Sequence, residues 1–182
     1  MDSNPISIQM QKQCCTMWCW AAVLSTAVQS CRLACTAQSQ VDFVNQYLGG
    51  DDCSSCCPNG PPDRETELEC DVAADLAQVL PQFRLSYSGE SQVNDSTFEA
   101  ITEQIDKNRP VIAKISYDGS DDTHVLLIYG YSRPDTIAFG DPANGECMSV
   151  QFSAFRSSDA YTDPRDKTLH GSWNSTYVFD AV

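Results

Sequence analysis

Gln13-Cys14-Cys15-Thr16-Met17-Trp18-Cys19-Trp20-Ala21-Ala22 is the stretch on which the reading of this chain turns, because an apolar, helix-forming run starts directly at Cys19. Trp20-Ala21-Ala22-Val23-Leu24 continues it without Gly or Pro, which predicts a buried central helix from Cys19 to about Ser30. A thiol in the first turn of a helix meets unpaired backbone N–H groups and the positive end of the helix dipole, both of which favour its thiolate form. Ten cysteines are present, and this one alone is so placed. In a cysteine-rich chain the competing role is a buried structural thiol or half of a disulfide.

A nucleophilic thiol needs partners, and the sequence offers one of each kind. His124 opens the apolar run Thr123-His124-Val125-Leu126-Leu127-Ile128-Tyr129-Gly130-Tyr131, so a stiff strand would fix its ring to accept the Cys19 proton. The other histidine, His170, lies in Leu169-His170-Gly171-Ser172-Trp173 and reads as a loop residue. Asp141 closes Thr136-Ile137-Ala138-Phe139-Gly140 and precedes Pro142, which keeps its backbone extended; its carboxylate can hold the imidazole in one tautomer, or simply cap a turn. Gln13, six residues before Cys19, supplies an amide donor which, with the Cys19 N–H, would hold the oxyanion of an acyl-transfer intermediate.

At 182 residues the chain fits one domain with a core of ordinary size. Its 11 Lys and Arg against 25 Asp and Glu give a net charge of -14, a field that repels phosphate backbones and anionic membranes. Nucleic acid is therefore excluded as a partner; a basic peptide would be attracted, although solubility accounts for the charge equally well. No segment is apolar enough to span a bilayer, and Met1-Asp2-Ser3-Asn4-Pro5 does not open a secretory signal. Yet Cys14, Cys15, Cys31, Cys35, Cys53, Cys56, Cys57, Cys70 and Cys147 accompany Cys19, a density that belongs to oxidising surroundings. The expectation is a protein that works outside the producing cell, exported without a visible cleavable signal.

Eight paired cysteines allow about 105 connectivities, and the sequence does not choose among them. Zinc competes for Cys31, Cys35, Cys53, Cys56 and Cys57, but the spacings are not paired two-residue knuckles and neither His falls in the cluster, so disulfides are favoured and no metal is assigned.

The two halves differ in period. Ser39 with Asp42 forms a capping box ahead of a helix whose face carries Val41, Val44, Tyr47 and Leu48 and which ends at Gly49-Gly50. Residues 51–62 read as a cysteine-stapled loop, and helix resumes from about Glu65 to Leu80, stopped by Pro81. Ser96-Thr97-Phe98-Glu99 caps a further helix with Phe98, Ile101 and Ile105 on one face. Beyond it come strands at Val111–Ser116, His124–Tyr131, Thr136–Phe139, Met148–Phe152 and Thr176–Phe179. The pattern is an α+β domain, a helical lobe to about residue 108 and an antiparallel β-rich lobe over 109–182, with a cleft between them.

Gln13, Cys19-Trp20-Ala21, His124 opening a strand that ends in Gly130-Tyr131, and Asp141 together resemble the papain-like cysteine proteases, in the same order. The Trp-Cys-Trp-Ala-Ala box and the Asp-Pro pair are most similar to compact bacterial proteases related to avirulence effectors, and more distantly to double-glycine leader peptidases. The resemblance implies a two-lobed fold and peptide-bond hydrolysis without cofactor, with Cys19 as nucleophile, His124 as base and acid, Asp141 as orienter and Gln13 as oxyanion donor. It also implies a protein or peptide substrate, and suggests a secreted effector or toxin with a cognate inhibitor or immunity protein. Asp141 stands where classical papains carry Asn, and Cys14 and Cys15 lie within the oxyanion loop, where a disulfide to the Cys53–Cys57 loop would clamp Gln13. Two other readings stay open: an amidase acting on peptidoglycan or isopeptide bonds, and a non-enzymatic disulfide-stapled binding module with Cys19 oxidised.

Overall fold

The computed structural model describes residues 5–31, 38–50, 52–57, 69–82, 87–92, 96–157 and 160–179. Helix α1 (Cys19–Cys31) starts at the expected residue, and Trp20 through Val28 are buried on every side, as an all-round apolar helix must be. Its buried hydroxyls are satisfied: Thr26 Oγ1 donates to Ala22 O and accepts from Gln11 N, while Ser25 Oγ donates to Gln38 O. Helix α2 (Gln40–Leu48) carries the predicted reciprocal box, Asp42 N to Ser39 Oγ and Ser39 N to Asp42 Oδ2, and ends at Gly49 in the left-handed region, φ 84°.

Among the described residues seven antiparallel strands follow: β1 (Tyr87–Gln92), β2 (Val111–Tyr117), β3 (Thr123–Ser132), β4 (Thr136–Asp141), β5 (Glu146–Gln151), β6 (Tyr161–Thr162) and β7 (His170–Phe179). Their order is β1-β7-β2-β3-β4-β5, with β6 beside β7, so the molecule is the expected α+β fold compatible with a papain-like architecture. Strand alternation divides the core between the two faces. Ile112, Val125 and Leu127 pack with α1 and α2, whereas Val111, Ile115, Leu126 and Ile128 pack with α4 (Phe98–Asp106) and the short α5 (Phe152–Phe155). The sheet thus recruits chain from both sides of residue 108, and α4 lies on the face away from α1.

Several elements differ from the sequence expectation, each through a tertiary contact. Residues 58–68 lie outside the described residues, but 71–75 are not helical: Asp71 Oδ1 accepts Met17 N at 2.6 Å, and the carbonyls of Cys70 and Val72 accept the indoles of Trp18 and Trp20. Helix resumes as α3 (Leu76–Gln82), whose end includes Pro81 rather than stopping before it. The α4 cap is Thr97, which accepts Ala100 N, because Ser96 is buried against Thr176 at 2.7 Å. Phe152 leaves the strand to open α5 and packs on Trp173 with Phe155. His170 is not a loop residue but the first residue of β7, drawn into the sheet because Gly171 pairs with Tyr117 and Tyr161. A Cβ on Gly171 would lie 2.6 Å from Ser116 O, so this close pairing requires glycine.

Among the described residues two disulfides are formed, Cys14–Cys57 and Cys53–Cys70. They remove Cys53 and Cys57 from the zinc alternative, and they tie the segment before Cys19 to residues 52–57 and these to residues 69–75. The first is the clamp expected between the Gln13 loop and the Cys53–Cys57 loop.

Candidate active site

The first turn of α1 and the start of β3 face each other across a cleft of about 200 Å³ that holds Cys19 and His124 and is walled by Met17, Trp20, Ala73, Ala74, Val125 and Leu169 among others. Cys19 reaches it because Trp18 and Trp20 on either side are buried and their indoles are anchored on residues 70–72. Ala22 N–H already bonds Trp18 O at 3.0 Å, whereas the Cys19 N–H at the helix start has no carbonyl four residues back within the helix and can serve a ligand.

His124 is 1 % exposed. Its Nε2 meets Asp141 Oδ1 at 2.8 Å, which leaves Nδ1 as the ring nitrogen for Cys19, with which it shares the cleft. The register explains the meeting: β3 and β4 run antiparallel with Leu127 opposite Gly140, which brings the end of β4 level with the residues just after His124. Asp141 is fully buried and completely satisfied. Its Oδ1 also accepts Ala143 N at 2.9 Å, and its Oδ2 accepts the Tyr161 hydroxyl at 2.8 Å. It therefore caps its own turn and orients the histidine at once.

Burial disfavours a charged His124, but the hydrogen bonds and charges of Asp141 and Cys19 outweigh it and push its pKa up to about 9. The ring is thus held as an imidazolium at neutral pH. Tyr161 and Tyr117 stack near it, with centroids 5.6 and 6.5 Å away, and keep it in plane. Burial, and then the Asp141 carboxylate, hold the Tyr161 phenol far above its ordinary value, so it acts as a hydrogen-bond donor throughout the physiological range.

Gln13 is buried and its backbone N–H is fixed to Pro142 O at 2.8 Å, which ties the loop ahead of Cys19 to the turn after Asp141. Its side chain is turned into its own loop: Nε2 donates to Cys15 O at 2.9 Å and to Thr16 O, and the buried Oε1 has no partner. The structure thus brings His124 and Asp141 into contact, places Cys19 on the same cleft as His124, and sets Gln13 beside them through Pro142, with its amide hydrogens on the loop rather than in the cleft.

A second network escaped the sequence. Asp163, fully buried, accepts the Tyr117 hydroxyl and a fork from Arg165, Nε at 3.1 Å and Nη2 at 2.7 Å, while Arg165 Nη1 lies 3.3 Å from Thr16 O. Burial would raise the Asp163 carboxyl, but the Arg165 and Tyr117 hydrogen bonds overrule it and keep it well below the usual carboxylate range. Thr162-Asp163-Pro164-Arg165-Asp166 reads as a turn, and only its pairing next to β7 reveals where it sits.

Among the described residues no group of three or more His, Cys, Asp or Glu side chains is arranged to hold a metal, and no helix is long and apolar enough to cross a membrane. No individually curated protein matches the chain. A model of the Peptidase_C39 like family matches residues 5–168, a span that contains Cys19, the strand pair carrying His124 and Asp141, and the Asp163–Arg165 pair. By that match over most of its length, the chain belongs to the Peptidase_C39 like family and is a cysteine peptidase at that level.

Proposed function

We propose that the protein is a papain-like cysteine endopeptidase working through a Cys19–His124–Asp141 triad. The observation that carries this reading is His124, buried, held by Asp141 at 2.8 Å and sharing one cleft with Cys19. The Cys19 sulfur attacks the substrate carbonyl carbon. The carbon–nitrogen bond breaks as the His124 imidazolium gives its proton to the departing amine. Water, losing a proton to the same ring, then hydrolyses the thioester and releases the acid and the thiol. Asp141 keeps Nδ1 directed at the sulfur, and the Cys19 N–H with Gln13, once its amide turns from the loop, receives the oxyanion. The substrate is a protein or peptide. The two disulfides support a site of action in oxidising surroundings outside the producing cell, and within the secreted proteases that the sequence resembles a cognate inhibitor is the natural partner.

Proteome-wide mapping of new N-termini tests this. Wild-type protein added to a native lysate should generate a defined set of cleavage sites, and Cys19→Ala none. Cleavage that persists in Cys19→Ala contradicts the triad, and Cys19-dependent release of fragments from cell-wall sacculi without new protein N-termini would turn the assignment to an amidase.

A further inference from the structure

Gln13 presents a contradiction in its resting position. The amide hydrogens needed for an oxyanion are spent on Cys15 O and Thr16 O, while Oε1 is buried with no partner. Oε1 makes no bond to the protein, so turning the amide gives up nothing at the oxygen and only the two Nε2 bonds must be replaced. Turning the amide toward the cleft frees both hydrogens, but it strips a donor from the Thr16 carbonyl three residues before the nucleophile.

Arg165 is placed to make up that loss. Its Nε and Nη2 are locked on Asp163, which also takes the Arg165 backbone N–H at 2.7 Å and the Tyr117 hydroxyl, so the guanidinium plane is fixed and Nη1 points at Thr16 O from 3.3 Å. It lines both the cleft of Cys19 and an adjoining cavity of about 430 Å³ that contains Gln13, and so stands at the partition where the amide would rotate. We propose that Arg165 is a positioning residue for the reaction: it holds the Thr16 carbonyl when Gln13 leaves it, and so lets the Gln13 amide serve the oxyanion without loosening the start of α1. A lysine cannot substitute, because a single ammonium cannot grip Asp163 through two nitrogens and reach Thr16 with a third. The proposal rests on the peptidase reading and on Gln13 as an oxyanion donor.

The test compares wild type, Gln13→Ala, Arg165→Ala, Arg165→Lys and Gln13→Ala/Arg165→Ala by hydrolysis of fluorescein-labelled casein, by iodoacetamide labelling of Cys19 and by thermal melting. Alkylation forms no oxyanion, so it reports on Cys19 and His124 alone. Expected is a fall in kcat of about 10- to 100-fold for both Arg165 variants, below the roughly 10²–10³-fold typical of losing an oxyanion donor outright. KM and the Cys19 labelling rate should stay near wild type, and the double variant should be no slower than Gln13→Ala. The proposal is overturned if Arg165→Ala keeps full kcat, if the two losses multiply, if Gln13→Ala itself is neutral, or if labelling falls in parallel with kcat. Should Arg165→Ala fail to fold, Arg165→Lys decides; loss of the fold in both makes the residue purely structural and also overturns it. Failure of the peptidase reading is separate and visible in the wild type, as casein left intact or hydrolysed equally by Cys19→Ala.

Discussion

At the residue scale the chemistry depends on one buried imidazole whose charge is set by its two neighbours. Because the His124 pKa is raised to about 9, the imidazolium is present below that value and is lost as pH rises through it. Hydrolysis should therefore decline on the alkaline side with a midpoint near pH 9. Asp141→Asn removes one of the groups that raise it, so the alkaline limb should move to lower pH and kcat/KM should fall by about 10²–10⁴-fold, read from the pH profile of casein hydrolysis. Tyr161→Phe leaves Asp141 Oδ2 buried with one hydrogen bond fewer and should cost about 1–3 kcal/mol of stability in denaturant melts. Cys19, His124 and Asp141 were legible in the sequence because each sits at a recognisable boundary: a helix start, the mouth of an apolar strand, and the residue before a proline. Tyr117, Tyr161, Asp163 and Arg165 were not, since they meet only through the pairing of β2 and β6 with β7, and Asp163 is 46 residues from the Tyr117 hydroxyl it accepts. Gln13 was found by its position, but not the direction of its amide, which depends on the carbonyls of Cys15 and Thr16.

At the scale of elements, local signals held where the segment's own residues settle the outcome and failed where a distant partner does. The α2 cap and Gly49 stop are self-contained, whereas the α4 cap shifted by one residue because Thr176 claims Ser96. Thr97→Ala should accordingly destabilise the protein by about 1 kcal/mol through the helix cap. Ser96→Ala should cost about 1 kcal/mol for a different reason, and that cost should vanish in a Thr176→Val background while the Thr97 cost persists there, as urea melts would show. The absent helix over 71–75 follows the same rule, for the Asp71 carboxylate is committed to Met17 N and the carbonyls of Cys70 and Val72 to the indoles of Trp18 and Trp20. β7 begins earlier than its apolar tail suggested, because His170-Gly171-Ser172 carries no hydrophobic alternation and is extended only by β2 and β6.

At the scale of the whole molecule, the two disulfides and the sheet act on opposite walls of one cleft. The bridges close separations of 43 and 17 residues and connect the Gln13 loop to the segment that bears Ala73 and Ala74, while the end of β2, the start of β3 and the turn between them supply the facing wall. Reduction should remove about 2–4 kcal/mol of stability per bridge, so the melting temperature should fall on adding a phosphine reductant, and activity should fall with it although the nucleophile itself stays a thiol. The same molecule contains Cys147, a free thiol exposed on β5, against which the labelling of Cys19 can be compared within one sample. The most direct measurement of the central claim is the rate at which iodoacetamide labels Cys19 relative to Cys147 at pH 7, resolved by peptide mass spectrometry. Cys19 should be labelled several-fold faster or more, and His124→Gln should abolish the difference. Equal or slower labelling of Cys19 in the folded wild-type protein, or a Cys19 found in a disulfide, would contradict that claim.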